Sequence, residues 1–574
     1  MRLLAAALVA GLGTGVLMFE KLVHREPALY VLDSLHRAMF NDSPPLHPSR
    51  DVFLFAAKGE TASFQIVIYG GASGLEKIDA VADGNFSLKL YREHYIAISN
   101  PSKYGVGGAR AGVYPDALIP FVNPFTGERL SGPMDVEPWR NQVIYAEMAV
   151  PENAAVGVYH SSVTVGALGQ IPITLTVWDF AIPKKPSLRT AFNDYDSERL
   201  IGPANYYGYR QNSPEHLSVA VAMDEDLLAN RIVPEIPLLS YFKVQNDGHI
   251  AHSAEQDRRL LAMLNRPERS DLKLYLAEHA PFNDPLGADR QRTIVYLRDA
   301  YDWFAKYGLL EKVWLRVQDE PENAADFRKT RAFAELIHEA NPKFKVAITG
   351  SMDHAGFDEQ LYGHLDTFIM SFDMFDPRKA AREEARGEQF WSYTGEVETP
   401  ENPSPYWQIE FPLLDFRVAP WINFRYGLRG LLYWTTAKWD EIHKRGHSPW
   451  SDACSVSEHG SCYNGDGMLV YPGDEVHYVI PAGAYGDAST KPVYGPIPSL
   501  RLKALRDGMQ DYELLALAAK KNPRGAMEAA IAVGCNGNPE PGDTYKSCFH
   551  SWNTDPDELF KMRSRLAEII TSPQ

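Results

Sequence analysis

Residues 313–349 read VWLRVQDEPENAADFRKTRAFAELIHEANPKFKVAIT, and this stretch decides the fold. Val313–Gln318 is a short apolar run, the pattern of a strand buried on both faces. Asn323–Ala340 has the length and composition of a helix, and Phe344–Thr349 is a second β-type run. A strand, a helix and a strand in so few residues make one βα unit and the start of the next. Reading outward, the rhythm repeats. Upstream come Arg189–Asp194 with His216–Arg231, Pro237–Tyr241 with Ser253–Leu264, and Leu272–His279 with Arg290–Tyr307. Downstream come Gly356–Tyr362 after the second run, Thr367–Phe372 with Pro377–Ala385, Phe390–Tyr393 with a helix near Leu413–Tyr426, and Gly430–Thr435. Eight strands over about 250 residues predict a (β/α)8 TIM barrel at residues 186–440. A doubly wound sheet competes, but no glycine-rich first turn supports it.

Residues 27–185 have a different rhythm. Runs such as Ser63–Tyr69, Ser87–Tyr91, Asn141–Val150, Ser161–Val165 and Ile171–Trp178 are separated by turn formers, which predicts an N-terminal β-sandwich. Ile182-Pro183-Lys184-Lys185-Pro186 is the expected linker. Residues 441–574 form a C-terminal region with loop insertions, a strand-like Met468–Tyr471, and helices at Ser499–Lys520 and Pro556–Ile570. The first of these helices carries an apolar stripe of Leu502, Leu505, Met509, Tyr512 and Leu515, with Arg501, Arg506, Asp507 and Asp511 on its other faces.

The chain has 574 residues, 57 Lys plus Arg against 74 Asp plus Glu, and a net charge of −17. That balance, with no basic run, argues against a nucleic-acid partner. Arg2 followed by an apolar run to Phe19 is the layout of a secretory signal, so residues 1–22 are expected to be a signal peptide or an uncleaved N-terminal anchor. An exported protein is expected: periplasmic, extracellular or surface-anchored. The four cysteines lie in two close pairs, and local disulfides Cys454–Cys462 and Cys535–Cys548 fit that compartment better than a zinc site.

In a barrel the chemistry concentrates where strands end. The strand ends supply Asp194, His279, the Asp319-Glu320-Pro321 turn, Asp353, Asp373, Trp391, Tyr393 and Trp434, with Trp439 close behind. Carboxylates mixed with aromatic rings are the lining expected for a sugar. Asp319 and Glu320 are the sharpest pair, because two acids closing a buried strand are costly without a purpose. They reach one pocket only if the backbone bends there, since adjacent strand residues face opposite ways. The other reading of the same acids is a favourable charge before a helix N-terminus. No Walker motif, H-E-x-x-H or G-x-S-x-G occurs, and neither a cofactor nor a metal is expected.

These residues bring a family into view. The chain resembles glycoside hydrolase family 123 and its relatives sharing the C-terminal region. The likeness rests on Gly59-Glu60-Thr61-Ala62-Ser63-Phe64-Gln65, Tyr114-Pro115-Asp116, Val177-Trp178-Asp179-Phe180, Asp319-Glu320-Pro321, and above all the run from Pro498 through Arg501, Arg506 and Asp511 to Glu513. The resemblance implies a β-sandwich followed by a TIM barrel, and exo-acting β-N-acetylgalactosaminidase activity on a glycan. It implies that Asp319 is the polarising residue and Glu320 the general acid. For a 2-acetamido sugar, two adjacent acids fit a substrate-assisted retaining mechanism, with Tyr393 a candidate to hold the acetamido oxygen. Two rival classes stand beside it: a retaining glycosidase with Asp373 as carboxylate nucleophile, and a non-catalytic carbohydrate-binding surface protein.

Overall fold

The computed structural model describes residues 25–102, 109–192, 202–203, 205–210, 213–234, 242–266, 272–275, 281–352, 354–395, 403–458, 460–485, 490–535 and 551–573. Near the N-terminus lie two sheets. A five-stranded antiparallel sheet runs in the order Ala28–Asp33, Thr61–Tyr69, Asn141–Ala149, Leu88–Ile98, Gly112–Pro120. A four-stranded sheet runs Val52–Lys58, Gly169–Ala181, Gly157–Val165, Ala80–Gly84, with its first pair parallel. Phe64, Ile66 and Ile144 from one sheet and Val163, Ile173 and Leu175 from the other belong to one buried apolar cluster. Alternation along each strand sends these side chains to the shared side. Gly112–Pro120 escapes the sequence reading because Pro115 looks like a breaker. It lies on the sheet's edge strand, where a missing amide proton is tolerated.

The next part is a seven-stranded sheet in the order Arg189–Phe192, Gly430–Tyr433, Gln389–Tyr393, Thr367–Ser371, Lys345–Gly350, Val313–Gln318, Leu272–Tyr275. Every neighbouring pair is parallel, and the first strand in sequence pairs with the last. Phe192 makes a further parallel bridge to Pro234. The expected strand Pro237–Tyr241, which would close a barrel, lies outside the described residues. The helices between these strands start and stop within a few residues of their expected limits, for instance Ala324–Ala340 and Arg290–Lys306. Asn323 caps the former by accepting from the amides of Ala325 (2.9 Å) and Asp326 (3.2 Å).

One face of the parallel sheet carries Ala191, Trp314, Ala347, Ile369, Trp391 and Leu432, a dry tier with one residue from each of six strands. Gly430 is part of its design, because a Cβ there would lie 2.2 Å from the Trp391 ring. The opposite face packs on the helices in the main core.

The C-terminal helix Leu500–Lys521 is buried on nearly all sides. The charges expected on its other faces are therefore not solvated; each meets an opposite charge or polar group from elsewhere. Arg501 reaches Asp116 of the five-stranded sheet (Nε to Oδ1 3.0 Å, Nη2 to Oδ2 2.9 Å), and both side chains are 0 % exposed. Lys503 and Arg506 pair with Glu147. Asp511 accepts from Arg417 (2.8 Å) and from Arg563 of the closing helix Pro556–Thr571, and Arg563 also reaches Glu60 (3.1 Å). Glu513 holds Ser187 and Arg231. This helix thus ties the five-stranded N-terminal sheet to the parallel sheet's helices. A second helix, Pro523–Gly534, follows it and was not evident in the sequence.

The disulfide Cys454–Cys462 is formed and staples the hairpin of Cys454–Glu458 and Ser461–Asn464. Cys548 of the second expected pair lies outside the described residues, as does the apolar segment 1–24. Among the described residues no helix is long and apolar enough to cross a membrane.

Asp116→Asn leaves the Arg501 guanidinium buried without its countercharge, a change that typically costs about 3–5 kcal/mol. Urea unfolding should show a midpoint lowered accordingly, with the slope unchanged. A midpoint within error of the unaltered protein would show that the pair does not hold the parts together.

Candidate active site

Period-two alternation carries the dry tier upward to a polar one. Two residues beyond Trp314, Ala347, Ile369, Trp391 and Leu432 stand Arg316, Thr349, Ser371, Tyr393 and Trp434, on the same face and nearer the strands' C-terminal ends. Arg316 is 0 % exposed, and the Trp391 layer lies beneath it.

Asp319 and Glu320 join this tier through two departures from regular strand geometry. The first is a bulge. Arg316 pairs with Ala347, but Gln318 pairs with Ile348, so Val317 is an extra residue and the alternation shifts by one. Gln318 consequently turns toward the helix, where Thr330 Oγ1 donates to it at 2.9 Å. Asp319 then faces the Arg316 side, and Arg316 Nη1 donates to its Oδ1 at 2.9 Å. The second departure is Glu320 itself, with φ +41°. A non-glycine residue there is strained by about 1–3 kcal/mol. That left-handed turn brings the next side chain back to the pocket, and buried Pro321 fixes the exit. The bend that the sequence required is present.

The two acids are treated differently. Asp319 Oδ1 accepts from Arg316 and also from the Thr349 hydroxyl. Thr349 Oγ1 in turn accepts the Glu320 backbone N–H at 3.3 Å. Glu320 Oε1 accepts from the Tyr393 hydroxyl. Burial pushes the Glu320 carboxyl above the usual carboxylate range; the Tyr393 hydrogen bond opposes this, and the Asp319 charge adds to it. Burial and the Glu320 charge push the Tyr393 phenol well above its ordinary range, so it remains a donor. The helix after the turn has its own cap in Asn323, and both acids bond to side chains instead. The helix-terminus reading of this pair therefore does not describe them.

The remaining candidates divide. Trp434 is half-buried at the mouth, and its Nε1 donates to Asp466 Oδ1 at 3.1 Å. Asp466 is fully buried and also accepts from Tyr433 (2.9 Å) and Gln408 (3.0 Å). Gly467 (φ +64°) lies so close that a Cβ would fall 2.6 Å from the Trp434 ring. Asp373 is 1 % exposed in the turn after its strand and accepts from Ser371. Trp391 and Trp439 are corrections. Trp391 is 1 % exposed, wedged between Trp314 (centroids 5.4 Å apart) and the Arg189 guanidinium, so it offers no face to a sugar. Trp439 is 0 % exposed, donates to the Val470 carbonyl at 2.9 Å and packs on Tyr206 and Tyr207. Asp194, His279 and Asp353 lie outside the described residues.

Arg316, Thr349 and Asp466 were missed. A cation inside the run Trp314–Val317 was the available signal for Arg316. Thr349 is hidden because the chemistry-bearing residues that close its run read as Ser351 and beyond. Asp466 sits in a loop with no local signal. Among the described residues no three His, Cys, Asp or Glu side chains gather as metal ligands.

Residues 288–481 match the family model of the glycoside hydrolase 123 catalytic domain. None of the curated protein sequences matches the chain. Among solved structures, a family 123 glycoside hydrolase from Clostridium perfringens, described for glycolipid glycan hydrolysis, aligns with TM-score 0.62 at 14 % identity, covering 95 % of this chain and 97 % of that one. A Bacteroides ovatus GH5 xyloglucanase aligns with TM-score 0.26 at 8 % identity over 72 % of this chain and 95 % of that one. A β-1,4-D-mannanase from Cryptopygus antarcticus gives 0.28 at 10 % identity over 43 % and 84 %. The last two are too distant to carry an argument.

The Glu320 carboxyl should titrate above the ordinary value of about 4.5 in carbon-13 NMR of labelled protein. Asp319→Asn removes a neighbouring negative charge and should lower that midpoint. Tyr393→Phe removes a donor to the ionised form and should raise it. Shifts of the opposite sign would mean that the contacts described do not govern this carboxyl.

Proposed function

We propose that this chain, whose residues 288–481 match the family 123 catalytic domain, is a glycoside hydrolase that removes terminal β-linked N-acetylgalactosamine, or a related 2-acetamido sugar, from glycans by a substrate-assisted retaining mechanism. The observation that carries the reading is the unequal treatment of Asp319 and Glu320. An acceptor held by two donors suits an ionised role; a carboxyl pushed up by burial suits a proton donor. In the first step the substrate's own acetamido oxygen attacks the anomeric carbon while Asp319 accepts the amide N–H and supports the oxazolinium charge. Glu320 gives its proton to the leaving oxygen. With Oε1 engaged by Tyr393, the proton belongs on Oε2. In the second step the same carboxylate takes a proton from water as it opens the ring. Tyr393, first a candidate for the acetamido oxygen, fits better as the group that aligns Glu320. Trp434 supplies the aromatic face for the sugar.

The rival with Asp373 as nucleophile is disfavoured by its burial, since an attacking carboxylate must meet the anomeric carbon. A purely binding protein would not need an acid whose ionisation burial resists beside an acid that accepts from two donors. We extend the proposal to a complete (β/α)8 barrel at residues 186–440, a β-sandwich at 27–185 that does no chemistry, an exported protein, and a C-terminal region at 441–574. A glycolipid glycan, named for the Clostridium perfringens relative, is one substrate to include.

Aryl 2-acetamido-β-galactosides and glucosides should be hydrolysed, with the matching 2-hydroxy glycosides left nearly untouched. Glu320→Gln should cost about 10²–10⁴-fold on poor leaving groups and far less on activated aryl ones. Asp319→Asn should cost about 10²–10³-fold on all of them. A thiazoline mimic of the oxazolinium ion should inhibit tightly. Equal turnover of 2-hydroxy and 2-acetamido glycosides, with no thiazoline inhibition, would remove the mechanism and restore the Asp373 alternative.

A further inference from the structure

We propose that Thr349, backed by the buried guanidinium of Arg316, is a positioning residue that assigns the charge within the acid pair: it holds Asp319 as the acceptor and holds the bent backbone that presents Glu320. The inference rests on the reading of these two acids given above, and its foundation is hydrogen-bond direction. A threonine hydroxyl has one proton. Thr349 Oγ1 already accepts the Glu320 N–H at 3.3 Å, so its proton is directed to Asp319 Oδ1. Arg316 can only donate, and Nη1 donates to the same Oδ1 at 2.9 Å. Two donors converge on one oxygen, which therefore serves as an acceptor and not as a carboxylic O–H. The charge-assisted bond from a guanidinium that is 0 % exposed is the stronger of the two kinds. Thr349 contributes the direction: it joins the side chain of one acid to the main chain of the next.

The backbone bond matters as much. Glu320 sits at φ +41°, a conformation that persists only where its surroundings impose it. The Thr349 hydroxyl engages the amide at the start of that strained residue. Without it, Asp319 loses a donor and Glu320 loses the tether that keeps its side chain turned back to the pocket. Both losses act on the reacting geometry and leave the Trp434 wall untouched, so they belong in kcat and not in KM.

Thr349→Val keeps the shape and removes both bonds; Thr349→Ser restores them. With an aryl 2-acetamido-β-galactoside, Thr349→Val should lower kcat about 10²-fold with KM changed less than about threefold, the scale of a slightly misplaced catalytic group. The acid limb of its kcat/KM profile should move to higher pH, because a donor to the ionised carboxylate is lost. Thr349→Ser should recover most of kcat and return the limb to its place. Should the valine variant fail to fold by circular dichroism, Thr349→Ala is read against Thr349→Ser by the same criteria. If the unaltered enzyme turns over, Asp319→Asn is crippled and Thr349→Val keeps its kcat and pH profile, the inference is overturned while the reading of the acids stands. If the unaltered protein hydrolyses none of these glycosides, that reading falls and the inference with it.

Discussion

The ion pair between Arg501 and Asp116 is the contact on which the rest of the structure depends. Both groups are wholly buried, and a charge in that position is tolerated only with its partner and its remaining hydrogen bonds in place. Arg501 is supplied with all of them. Beyond Asp116 it donates to the carbonyls of Gly465 (2.6 Å), Trp407 (3.2 Å) and Met468, and Tyr471 completes the carboxylate at 2.6 Å. Those carbonyls frame the loop that carries Asp466, which holds Trp434 and Tyr433. The guanidinium thus links an edge strand near the N-terminus, a late loop, the C-terminal helix and the mouth of the site. The run from Pro498 to Glu513 fixes the frame around the site without touching the acid pair.

The same physics recurs at Arg316 on a smaller scale. A guanidinium with no access to water organises a carboxylate above it, while the neighbouring carboxyl sits where burial resists its ionisation. Two adjacent acids in water would titrate almost alike. Here one has two donors and the other a phenol and a low-dielectric wall, so a single dipeptide presents two different electrostatic environments. Their separation is electrostatic and is set by Arg316 on the same strand and by Thr349 and Tyr393 on two others.

What could be read in the sequence follows from the range of the forces involved. The βα alternation is a local signal, and Val313–Gln318 forms at its expected limits. The acid pair was legible because two carboxylates closing an apolar strand conflict with burial. The lining was less legible for a reason of register. Taking the last few residues of each strand admits Trp391, which sits one tier too deep; counting in steps of two from a buried tier leads to Arg316, Thr349, Tyr393 and Trp434. The bulge at Val317 has no composition that marks it. The burial of Arg501 and Arg506 was equally invisible, because Asp116 and Glu147 lie 385 and 359 residues away.

That bulge explains why so much structure stands behind one dipeptide. In an unbroken strand Gln318 would follow Arg316 into the pocket, and Asp319 would turn to the helices. One extra residue reverses this, and the left-handed Glu320 then reverses the next step of the alternation. Neither departure is favourable by itself: a bulge forfeits regular pairing, and φ +41° carries strain. Each is held by a contact that regular geometry could not make, Thr330 on Gln318 and Thr349 on the Glu320 amide. A dry tier of Trp314 and Trp391 prevents the floor from yielding, and Asn323 starts the helix where the turn ends. The distortion is stable only inside a rigid surround, and the rigid surround gains chemistry only through the distortion.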